Sequence, residues 1–473
     1  MAEAGLVGSS YQQASLPWDA QRTVNLYPLM DDGGKVVKAL YGTPGLALFG
    51  SAGQGPGRSA FTSDANGRAF DISGAGFYEV NGDGSTTLRG SLDQTQGVCT
   101  LAENGFQLAI CDQVNLYIFT YATNAFQKVV TANLPSAYSV CFIDGYFIIN
   151  RSPNSGIFQI SNLYNGLVWN ALDFATAESS PDSLLRVLNV SGQLWLQGTV
   201  STEIYSNTGA ASFPFTRISG AKIETGTIAP FASLSLDNSL FWINRDSNGI
   251  GIVFRAQGTR PQRISTEPIE LRLQAAPDPS TLRSYSRQIA GHLVYSITGG
   301  GMETTLNYDI TTQQWFETAY LNEDGNYELH LVADSFYAFN KHLGIDRRNG
   351  NIYEISADYY SDNGDEIASD RIFTHLFDEN QRFKIKNFTA GFETGVGTQT
   401  GADDSVDPQV VLYISRDGGK TWSAGRMMPL ARAGKFLARV KWDRLGQARQ
   451  ITFRLRITSP VKRAINGSWF NTL

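Results

Sequence analysis

Pairs of short apolar runs separated by a turn-forming dipeptide recur along the first three quarters of the chain. Residues 140–150 show the pattern most clearly, because Asp144-Gly145 separates two apolar runs. Asp-Gly and Asn-Gly pairs favour tight hairpins, since both central turn residues need positive φ. Six further pairs occupy similar positions: Asn66-Gly67, Asn104-Gly105, Ser191-Gly192, Asp237-Asn238, Gly291-His292 and Asn340-Lys341. The pattern predicts seven β-hairpins.

The turn pairs are spaced at 38 to 54 residues, and a second element repeats with them. An aromatic residue in a short apolar run follows each turn: Tyr78, Tyr117, Phe158, Tyr205, Phe254, Tyr308 and Tyr353. Four-stranded units of about 40–50 residues are typical of β-propeller blades, whose radial stacking buries both faces of each sheet. We predict an all-β fold with a six- or seven-bladed propeller, in which residues 36–49 supply a closing strand. An irregular β-sandwich is the alternative.

Little helix is expected in this chain. Residues 181–188 and 279–289 each predict one or two helical turns between blades, with Asp182 and Ser280 in capping positions. The composition agrees with an all-β chain, since it has 47 glycines, 12% aromatic residues and only 17% charged residues. These values exclude a largely disordered chain and a long coiled coil.

The cysteines and the apolar runs bear on the cellular setting. The three cysteines are odd in number and form no Cys-x-x-Cys pair. We therefore expect neither a disulfide framework nor a zinc site, and a reducing cytoplasm as the setting. No apolar run approaches the ~18 residues of a spanning helix, and the first residues lack the basic segment of a signal peptide. No membrane insertion is expected.

Charge divides the chain into two unequal parts. The net charge of −6 argues against a globally basic nucleic-acid-binding protein. Residues 1–365 contain 21 basic and 34 acidic residues, a balance of −13, whereas residues 366–473 contain 17 and 10, a balance of +7. The polar stretch 360–370 suits a linker, and apolar and polar residues alternate again after it. We predict an N-terminal arm (1–35), the propeller (36–365) and a C-terminal β-sandwich (366–473).

The sharpest local motif lies in the C-terminal part. Residues 415–422 fit the pattern Ser-x-Asp-x-Gly-x-Thr-Trp of an Asp box, formed by Ser415, Asp417, Gly419, Thr421 and Trp422. The Ser and Asp oxygens can accept hydrogen bonds from the N–H groups of the turn, while the glycine adopts positive φ. Asp boxes are familiar in sialidases, where they recur and lie away from the catalytic centre. A single copy predicts a structural turn.

Catalytic, cofactor and metal sites find little support in the sequence. A glycosidase needs two carboxylates about 5–10 Å apart, and the acids Glu203, Glu224 and Asp237 cannot be paired from sequence. The four histidines have no metal or triad spacing. Residues 81–85 and 322–326 faintly resemble calcium loops but lack the EF-hand glycine and glutamate positions. We expect no catalytic residue, cofactor or metal, and hence no enzyme.

A basic run near the C-terminus is the candidate interface. Residues 409–473 contain 13 basic residues, and their only acids are Asp417 and Asp443. Few of these cations can find an acidic partner nearby, so an acidic protein surface or nucleic-acid phosphate would suit them. The residues proposed for this interface are Arg426, Arg439, Lys441, Arg444, Arg449, Arg454 and Arg456. Alternation in the strand pattern places Arg454 and Arg456 on one face.

Several segments, in order, resemble one family. They are Gln21-Arg22-Thr23-Val24-Asn25-Leu26-Tyr27-Pro28, Gly42-Thr43-Pro44-Gly45-Leu46, residues 201–209, Phe213-Pro214-Phe215-Thr216-Arg217-Ile218 with Gly220, Glu224 and Gly226, Trp442-Asp443-Arg444-Leu445-Gly446 with Arg449, and residues 457–461. Together they resemble the packaged-DNA stabilisation, or tail-hub (nozzle), proteins of short-tailed bacteriophages, over residues 20 to 465. The resemblance rests on the order of these segments and not on one motif.

The resemblance implies a structural protein of the virion tail. Members assemble as a ring of six copies below the portal and its adaptor, continue the channel for double-stranded DNA, help to retain the genome, and carry spikes, fibres or a plug. The family offers no catalytic residues. Two rival classes stay open: a phage protein that binds or depolymerises glycans, and a cellular propeller scaffold unrelated to phage.

Overall fold

The computed structural model describes residues 2–3, 10–13, 20–30, 37–151, 153–177, 182–245, 251–377, 381–401 and 403–472. Seven antiparallel sheets, called blades 1 to 7, follow one another along the chain. Blade 1 contains Gly57–Thr62, Ala69–Ser73, Gly76–Val80 and Thr86–Ser91, and blade 2 contains Thr100–Glu103, Gln107–Cys111, Leu116–Thr120 and Ala125–Lys128. Blade 3 contains Ser139–Ile143, Tyr146–Asn150, Ile157–Ile160 and Phe174–Thr176, blade 4 contains Leu184–Val190, Gln193–Gly198, Thr202–Asn207 and Phe215–Ile223, and blade 5 contains Leu234–Leu236, Ser239–Arg245, Gly251–Gln257 and Arg260–Arg263. Blade 6 contains Arg283–Ile289, His292–Thr298, Thr305–Asp309 and Gln314–Leu321, and blade 7 contains Val332–Ala338, Lys341–Asp346, Asn351–Ser356 and Gly45–Ser51.

Hydrogen bonds between neighbouring blades follow the sequence of blades and return from blade 7 to blade 1. In order they are Cys99 N to Ser59 Oγ (3.1 Å), Val140 N to Thr100 Oγ1 (2.9 Å), Val187 N to Ser139 Oγ (3.1 Å), Arg186 Nη1 to Pro230 O (2.6 Å), Tyr295 Oη to Ala232 O (2.5 Å), Ser335 Oγ to Ser286 O (2.6 Å) and Ala60 N to Asp334 Oδ2 (3.2 Å). Most of the donors and acceptors lie on the first strand of a blade. The seven sheets therefore form a closed ring, as the predicted propeller requires.

The last blade is completed from the N-terminal side of the chain. Gly45–Ser51 pairs antiparallel with Asn351–Ser356, with Leu46 opposite Ile355. Leu46 is 1% exposed and packs with Tyr285, Val332 and Tyr353. A strand from the segment 36–49 thus does close the ring, but its bounds are later than predicted, and residues 37–42 have other partners.

Three of the seven turn pairs are the two-residue turns that the sequence predicts. Asp144-Gly145, Ser191-Gly192 and Asp237-Asn238 have positive φ at both residues and join directly paired strands. In blades 6 and 7 the turn lies one residue earlier than predicted, at Ala290-Gly291 and Phe339-Asn340. Asn66-Gly67 and Asn104-Gly105 lie in longer loops, where only the glycine has positive φ.

The aromatic residue that follows each turn has one structural position. All seven, Tyr78, Tyr117, Phe158, Tyr205, Phe254, Tyr308 and Tyr353, lie on the third strand of their blade. In blades 2 and 7 the tyrosine hydroxyl donates to an aspartate that caps the preceding turn, Tyr117 to Asp112 (3.2 Å) and Tyr353 to Asp346 (2.7 Å). The repeat seen in the sequence is therefore a repeat of blade structure.

The two segments predicted to be helical are mostly strand. Leu184–Val190 is the first strand of blade 4, because its alternating apolar residues pack between blades; residue 181 lies outside the described residues. Pro279–Thr281 forms a short 3-10 helix with Ser280 N bonded to Asp278, and strand Arg283–Ile289 follows it. The described helices are otherwise Glu267–Gln274, Asp403–Val406 and the 3-10 turn Pro230–Ala232.

The C-terminal part forms the predicted β-sandwich, with strands from the N-terminal region in both of its sheets. One sheet contains Leu26–Met30, Val37–Gly42, Ala464–Thr472, Phe383–Phe392 and Val440–Ala448, with Ala2–Glu3 paired to Ala464–Thr472. The other contains Ala20–Val24, Ser369–Ile372, Gln450–Ile457, Gln409–Ser415 and Arg426–Pro429, with Tyr11–Gln12 and Leu376–Phe377 at its sides. Phe388 packs between them on Phe453 (ring centroids 4.5 Å apart) and Trp442 (6.0 Å).

This topology differs from the domain limits predicted from sequence. Residues 20–30 form sandwich strands instead of a separate arm, and Val37–Gly42, assigned to the propeller, pairs with Ala464 and Ile465. The remaining short strands, Ser361–Asp362 and Asp365–Glu366, lie beside Gly45–Ser51, and Tyr327–Leu329 pairs with blade 6. Strands change from the propeller to the sandwich between Glu366 and Ser369. Chain order could not show that two distant segments share a sheet.

The strand Ala20–Val24 joins the sandwich to blade 6. Val24 pairs in parallel with Glu317 on the outer strand of blade 6, and residues 22–24 pair with residues 370–372 on the other side. The next residue, Asn25, donates from Nδ2 to Ala319 O and Ala368 O, both at 2.9 Å. One continuous sheet therefore runs from the propeller into the sandwich.

A buried carboxylate lies at this junction. Glu317 is fully buried and accepts hydrogen bonds from Arg22 (2.8 Å), Ser10 (2.6 Å) and Thr304 (2.9 Å), and it forms an ion pair with Arg272. Burial alone would raise the pKa of Glu317, but the charges of Arg22 and Arg272 outweigh it and hold the pKa well below its usual range. The carboxylate is ionised and bridges the first strand of the sandwich to the propeller.

A second buried carboxylate, Asp370, repeats the arrangement on the other side of strand Ala20–Val24. Asp370 accepts from Arg454 (2.5 Å), Arg456 (2.8 Å) and the hydroxyl of Tyr327 (2.6 Å), which belongs to the propeller side. Burial opposes ionisation, yet hydrogen bonds and charge from the two arginines lower the pKa of Asp370 to about 2. The guanidinium of Arg456 also lies over the Tyr327 ring, 5.5 Å from its centroid.

Ring closure predicts a difference between two leucines of one strand. We expect Leu46→Ala to lower the free energy of unfolding by ~2–5 kcal/mol, because it leaves a cavity in a packed core. Leu48 is 56% exposed on the same strand, so Leu48→Ala is the matched control and should be close to neutral. Urea unfolding followed by tryptophan fluorescence measures both. Equal effects of the two variants would contradict the closing role of this strand.

The junction predicts both a loss of stability and a pH dependence. Asp370→Asn should destabilise by ~3–5 kcal/mol, since it leaves two half-buried arginines without their buried anion. The pKa of Asp370 is about 2 when folded and ~3.9 when unfolded, so its contribution is complete above pH ~4 and is lost as the pH falls through ~2.

Asp407→Asn is the control for this prediction, because it breaks the exposed pair of Asp407 with Arg432 (3.4 Å) and should change stability by ~1 kcal/mol or less. Thermal melts between pH 2 and pH 7 measure both variants. An Asp370→Asn protein that is as stable as the control, or that keeps the full acid sensitivity of the parent chain, would refute the prediction.

Candidate functional site

The Asp-box residues form a closed turn at the end of strand Gln409–Ser415. Ser415 Oγ accepts from Gly419 N (2.8 Å), and Asp417 accepts from Thr421 N (2.9 Å) and the Thr421 hydroxyl (2.5 Å). These hydrogen bonds, with that of the Thr421 side chain as the largest cause, hold the pKa of Asp417 well below its usual range. The turn satisfies its own polar groups.

The turn also touches the junction strand. Gly419 has φ +88°, and a Cβ built there would lie 3.1 Å from Cβ of Ala20, the first residue of strand Ala20–Val24. Trp422 is half-buried beneath the guanidinium of Arg454, 5.9 Å from the ring centroid. The motif therefore supports the sandwich where it meets the N-terminal strand.

The basic residues gather on the edge of the sandwich that is farthest from the propeller, called here the distal edge. Strands Arg426–Pro429 and Val440–Ala448 are the last strands of their two sheets. They meet through Arg426 Nη2 to Asp443 O (2.9 Å) and Trp442 Nε1 to Arg426 O (2.8 Å). Arg426–Pro429 is five strands away from the outer strand of blade 6, a distance of about 24 Å at ~4.8 Å per strand.

Four of the seven predicted interface residues are exposed along this edge: Arg426, Arg439, Arg444 and Arg449. Arg439 and Arg449 bracket the strand Val440–Ala448, so the positive charge extends over ~30 Å at ~3.3 Å per residue. Lys441 is half-buried and pairs with Asp443 (2.9 Å). Arg444 adopts φ +57° in a bulge opposite residues 385–387, which turns the backbone at the middle of the edge.

The other two predicted interface residues have a different role. Arg454 and Arg456 do lie on one face, but that face is turned toward Asp370 and Tyr327 inside the junction. Their charges are therefore engaged by Asp370 within the protein. Alternation in the sequence gave the correct common face, whereas it could not reveal the buried acid, because Asp370 lies more than 80 residues earlier in the chain.

Exposed apolar side chains accompany the charges on the distal edge. Leu437 is 96% exposed, and Phe436 and Met427 are also exposed. They lie among Arg426, Arg432, Lys435 and Arg439, so the edge combines cations with apolar surface. The interface predicted from sequence does not include these residues, because it was chosen by charge alone. The apolar pair Phe436-Leu437 beside the loop glycine Gly434, ahead of the strand that begins at Val440, was the available signal.

The acids and histidines considered for catalysis are separately accounted for. Glu203 is buried and accepts from Tyr205 (3.2 Å), Glu224 is exposed and pairs with Lys222 (3.0 Å), and Asp237 pairs with Arg255 (2.6 Å). Burial lowers the pKa of His330 to about 3, and His292 Nδ1 bonds Asp309 (2.7 Å). In the described part of the chain, no three His, Cys, Asp or Glu side chains are grouped to hold a metal ion.

The calcium-like loops and the cysteines also have local explanations. Asp83 accepts from Ser85, and Asn322 accepts from Asn326 N (2.9 Å), so both loops close as turns. All three cysteines are buried with free thiols, and burial raises the pKa of Cys99 to about 12. No helix among the described residues is long and apolar enough to cross a membrane.

Solved structures resemble this chain only weakly. The N-terminal domain of Nup159 has a TM-score of 0.42 at 9% identity, covering 71% of this chain and 98% of that one. The RRP9 WD40 repeats give 0.41 at 8% identity, covering 67% and 99%, and the WD40 β-propeller domain of Doa1 gives 0.40 at 10%, covering 66% and 96%. Such scores support no inference about this chain. Comparison with curated proteins gives no match.

Two protein-family models account for the chain. The phage stabilisation model described as the β-propeller of bacteriophage P22 Gp10 matches residues 6–360. The model described as the β-sandwich of bacteriophage P22 Gp10 matches residues 370–471. Their order agrees with the observed propeller and sandwich. The chain therefore belongs to the phage stabilisation family of P22 Gp10 and is a phage structural protein.

Proposed function

We propose that the protein is a subunit of the phage tail hub, or nozzle, which forms a ring of six copies below the portal and its adaptor. In this role it extends the DNA channel, helps to retain packaged DNA and anchors tail appendages such as spikes, fibres or a plug. Family membership supports a place in the virion. The single observation that carries the finer proposal is the basic distal edge, held about 24 Å from an acidic propeller.

The distal edge is suited to dock on an acidic protein surface such as that of the adaptor. Arg426, Arg439, Arg444 and Arg449 are exposed there, and a patch of one sign favours a surface of the opposite sign. Arg454 and Arg456 of the same basic run are instead paired with Asp370 in the junction. The edge therefore offers a defined docking surface.

The acidic propeller suits passage of DNA without lasting contact between DNA and protein. Residues 45–365, which contain the seven blades, have 18 basic and 30 acidic residues, a balance of −12, and like charge disfavours lasting contact with phosphate. A hub must let the genome leave through it during ejection. The two charge signs thus serve two tasks, attachment at the sandwich and passage near the propeller.

The test is binding of the full chain to its adaptor at increasing salt. We expect the affinity to fall as ionic strength rises, because exposed charges are screened beyond ~10 Å at 0.1 M salt. Arg444→Glu with Arg449→Glu should weaken binding at low salt by about tenfold or more, the equivalent of ~1.4 kcal/mol. Surface plasmon resonance or sedimentation velocity measures the affinity.

Arg260→Glu is the matched control, since Arg260 is exposed on the outer strand of blade 5. It changes the net charge in the same direction but leaves the distal edge intact. Adaptor binding that is indifferent to ionic strength, or that is weakened as much per charge by the control, would overturn the electrostatic docking.

A further inference from the structure

An exposed apolar patch lies on the propeller, on the face that carries the turns between first and second strands. It consists of Phe106, Leu163, Tyr164 and Val168, which are between 41% and 67% exposed. Phe106 belongs to a blade 2 turn, and the others belong to the loop between the third and fourth strands of blade 3. Contiguous apolar surface rimmed by polar residues marks interaction sites in soluble proteins.

The patch is held rigidly by buried contacts. Asn104 Nδ2 donates to Tyr164 O (3.1 Å), and Gly166 N donates to Gln107 Oε1 (2.9 Å), so the blade 3 loop is fastened to blade 2. Trp169 anchors the loop from below, being 2% exposed and bonded to Gly166 O (2.8 Å). Surface that is already ordered loses little conformational entropy when a partner binds.

The rim of the patch is acidic. Asp144 lies in the blade 3 turn, where a Cβ on the adjacent Gly145 would lie 2.6 Å from Leu163 and 3.2 Å from Tyr164. Asp64 is exposed in the neighbouring blade 1 turn and is linked to blade 2 through Glu103 (2.8 Å). Arg68 is near but bonds Glu79 (2.6 Å).

The distal edge carries an exposed apolar protrusion whose neighbours are basic, whereas the rim of the patch is acidic. This protrusion, called here the knob, is formed by Phe436 and Leu437. Thr394 Oγ1 donates to Phe436 O (2.8 Å) and Gly395 N donates to Leu430 O (3.1 Å), so the loop is fastened to the sandwich. Leu437 is 96% exposed at its tip. Residues 426–439 contain four basic residues and no acidic one.

We propose that the knob of one copy of this chain docks on the apolar patch of a second copy. The apolar side chains would bury one another, while Arg432 and Lys435 beside the knob face Asp64 and Asp144. The proposal rests on the proposed ring, because it names the contact between its neighbouring copies.

The two surfaces cannot meet within one chain. The sandwich joins the propeller at blade 6 and the closing strand of blade 7, whereas the patch lies on blades 2 and 3, across the ring. Both surfaces are exposed in the single chain. Because they differ, their contact is heterologous, and a heterologous contact repeats around a ring when its rotation closes.

Site-directed cross-linking of the full chain tests this contact without any adaptor. Leu437→Cys and Leu163→Cys are made as separate proteins, mixed, and treated with a short bismaleimide over a range of concentrations. The native cysteines are buried and should not react. We expect a cross-linked dimer in the mixture, at about tenfold or more over either variant alone, since a heterologous contact brings knob to patch and not like to like.

Val200→Cys replaces Leu163→Cys in the control mixture. Val200 is 61% exposed but lies in the loop between the second and third strands of blade 4, on the opposite face. As a second measurement, Leu437→Asp should weaken self-association of the otherwise native chain by about tenfold or more in sedimentation velocity, while Val200→Asp leaves it unchanged.

Equal cross-linking with Leu163→Cys and Val200→Cys, or a chain that stays monomeric at every concentration, would overturn the proposal. Cross-linking between identical Leu437→Cys proteins would also overturn it in favour of an isologous contact. Loss of salt-dependent adaptor binding would instead count against the proposed function and leave this result standing, because the cross-linking mixture contains no adaptor.

Discussion

The ionised carboxylate of Glu317, fully buried between Arg22 and Arg272, is the interaction on which the arrangement of the two domains depends. A buried anion is expensive unless cations and hydrogen bonds compensate for lost water, and here the compensating groups come from three separate parts of the chain. Arg22 and Ser10 lie near the N-terminus, Arg272 lies in the helix Glu267–Gln274, and Thr304 immediately precedes the third strand of blade 6. The carboxylate is satisfied only when the N-terminal strand, which belongs to the sandwich, lies against the propeller.

The cost of burying charge also divides the arginines of the sandwich into two groups, those paired in the junction and those exposed on the distal edge. Asp370 binds Arg454 and Arg456 within the junction, and Arg463 is buried against Ile367 O and Ser369. These arginines belong to the same basic run as Arg444 and Arg449, yet their energetic role differs because of burial. A charge paired in the interior determines how the domains are joined, whereas a charge on the distal edge is free to act on another molecule. The overall balance of +7 therefore overstates what a partner would encounter.

Local signals in the sequence were sufficient for the propeller. Turn pairs such as Asp144-Gly145 act within four residues, and the aromatic residues of the third strands report blade packing, so both repeat along the chain. Pairings between distant segments were not accessible in this way. The capping signal at residues 181–188 was overridden by packing between blades 3 and 4, and Ala20–Val24 gives no local sign that it lies between residues 317 and 370. The segment Gln21-Arg22-Thr23-Val24-Asn25, which carries part of the family resemblance, forms this junction strand. The strands that it pairs with can be identified only from the structure.

A rigid junction matters because a ring places demands on angle as well as on contact. If each copy offers one surface on the sandwich and another on the propeller, the rotation between neighbouring copies depends on the angle between its two domains. A flexible linker would allow many rotations, and open assemblies would compete with a closed one. Here a continuous sheet and two buried carboxylates fix that angle, and the Asp-box turn supports the same strand at Ala20. Removing charge from the junction would therefore affect assembly geometry even if both docking surfaces stayed intact, which separates the role of Glu317 from that of Arg444.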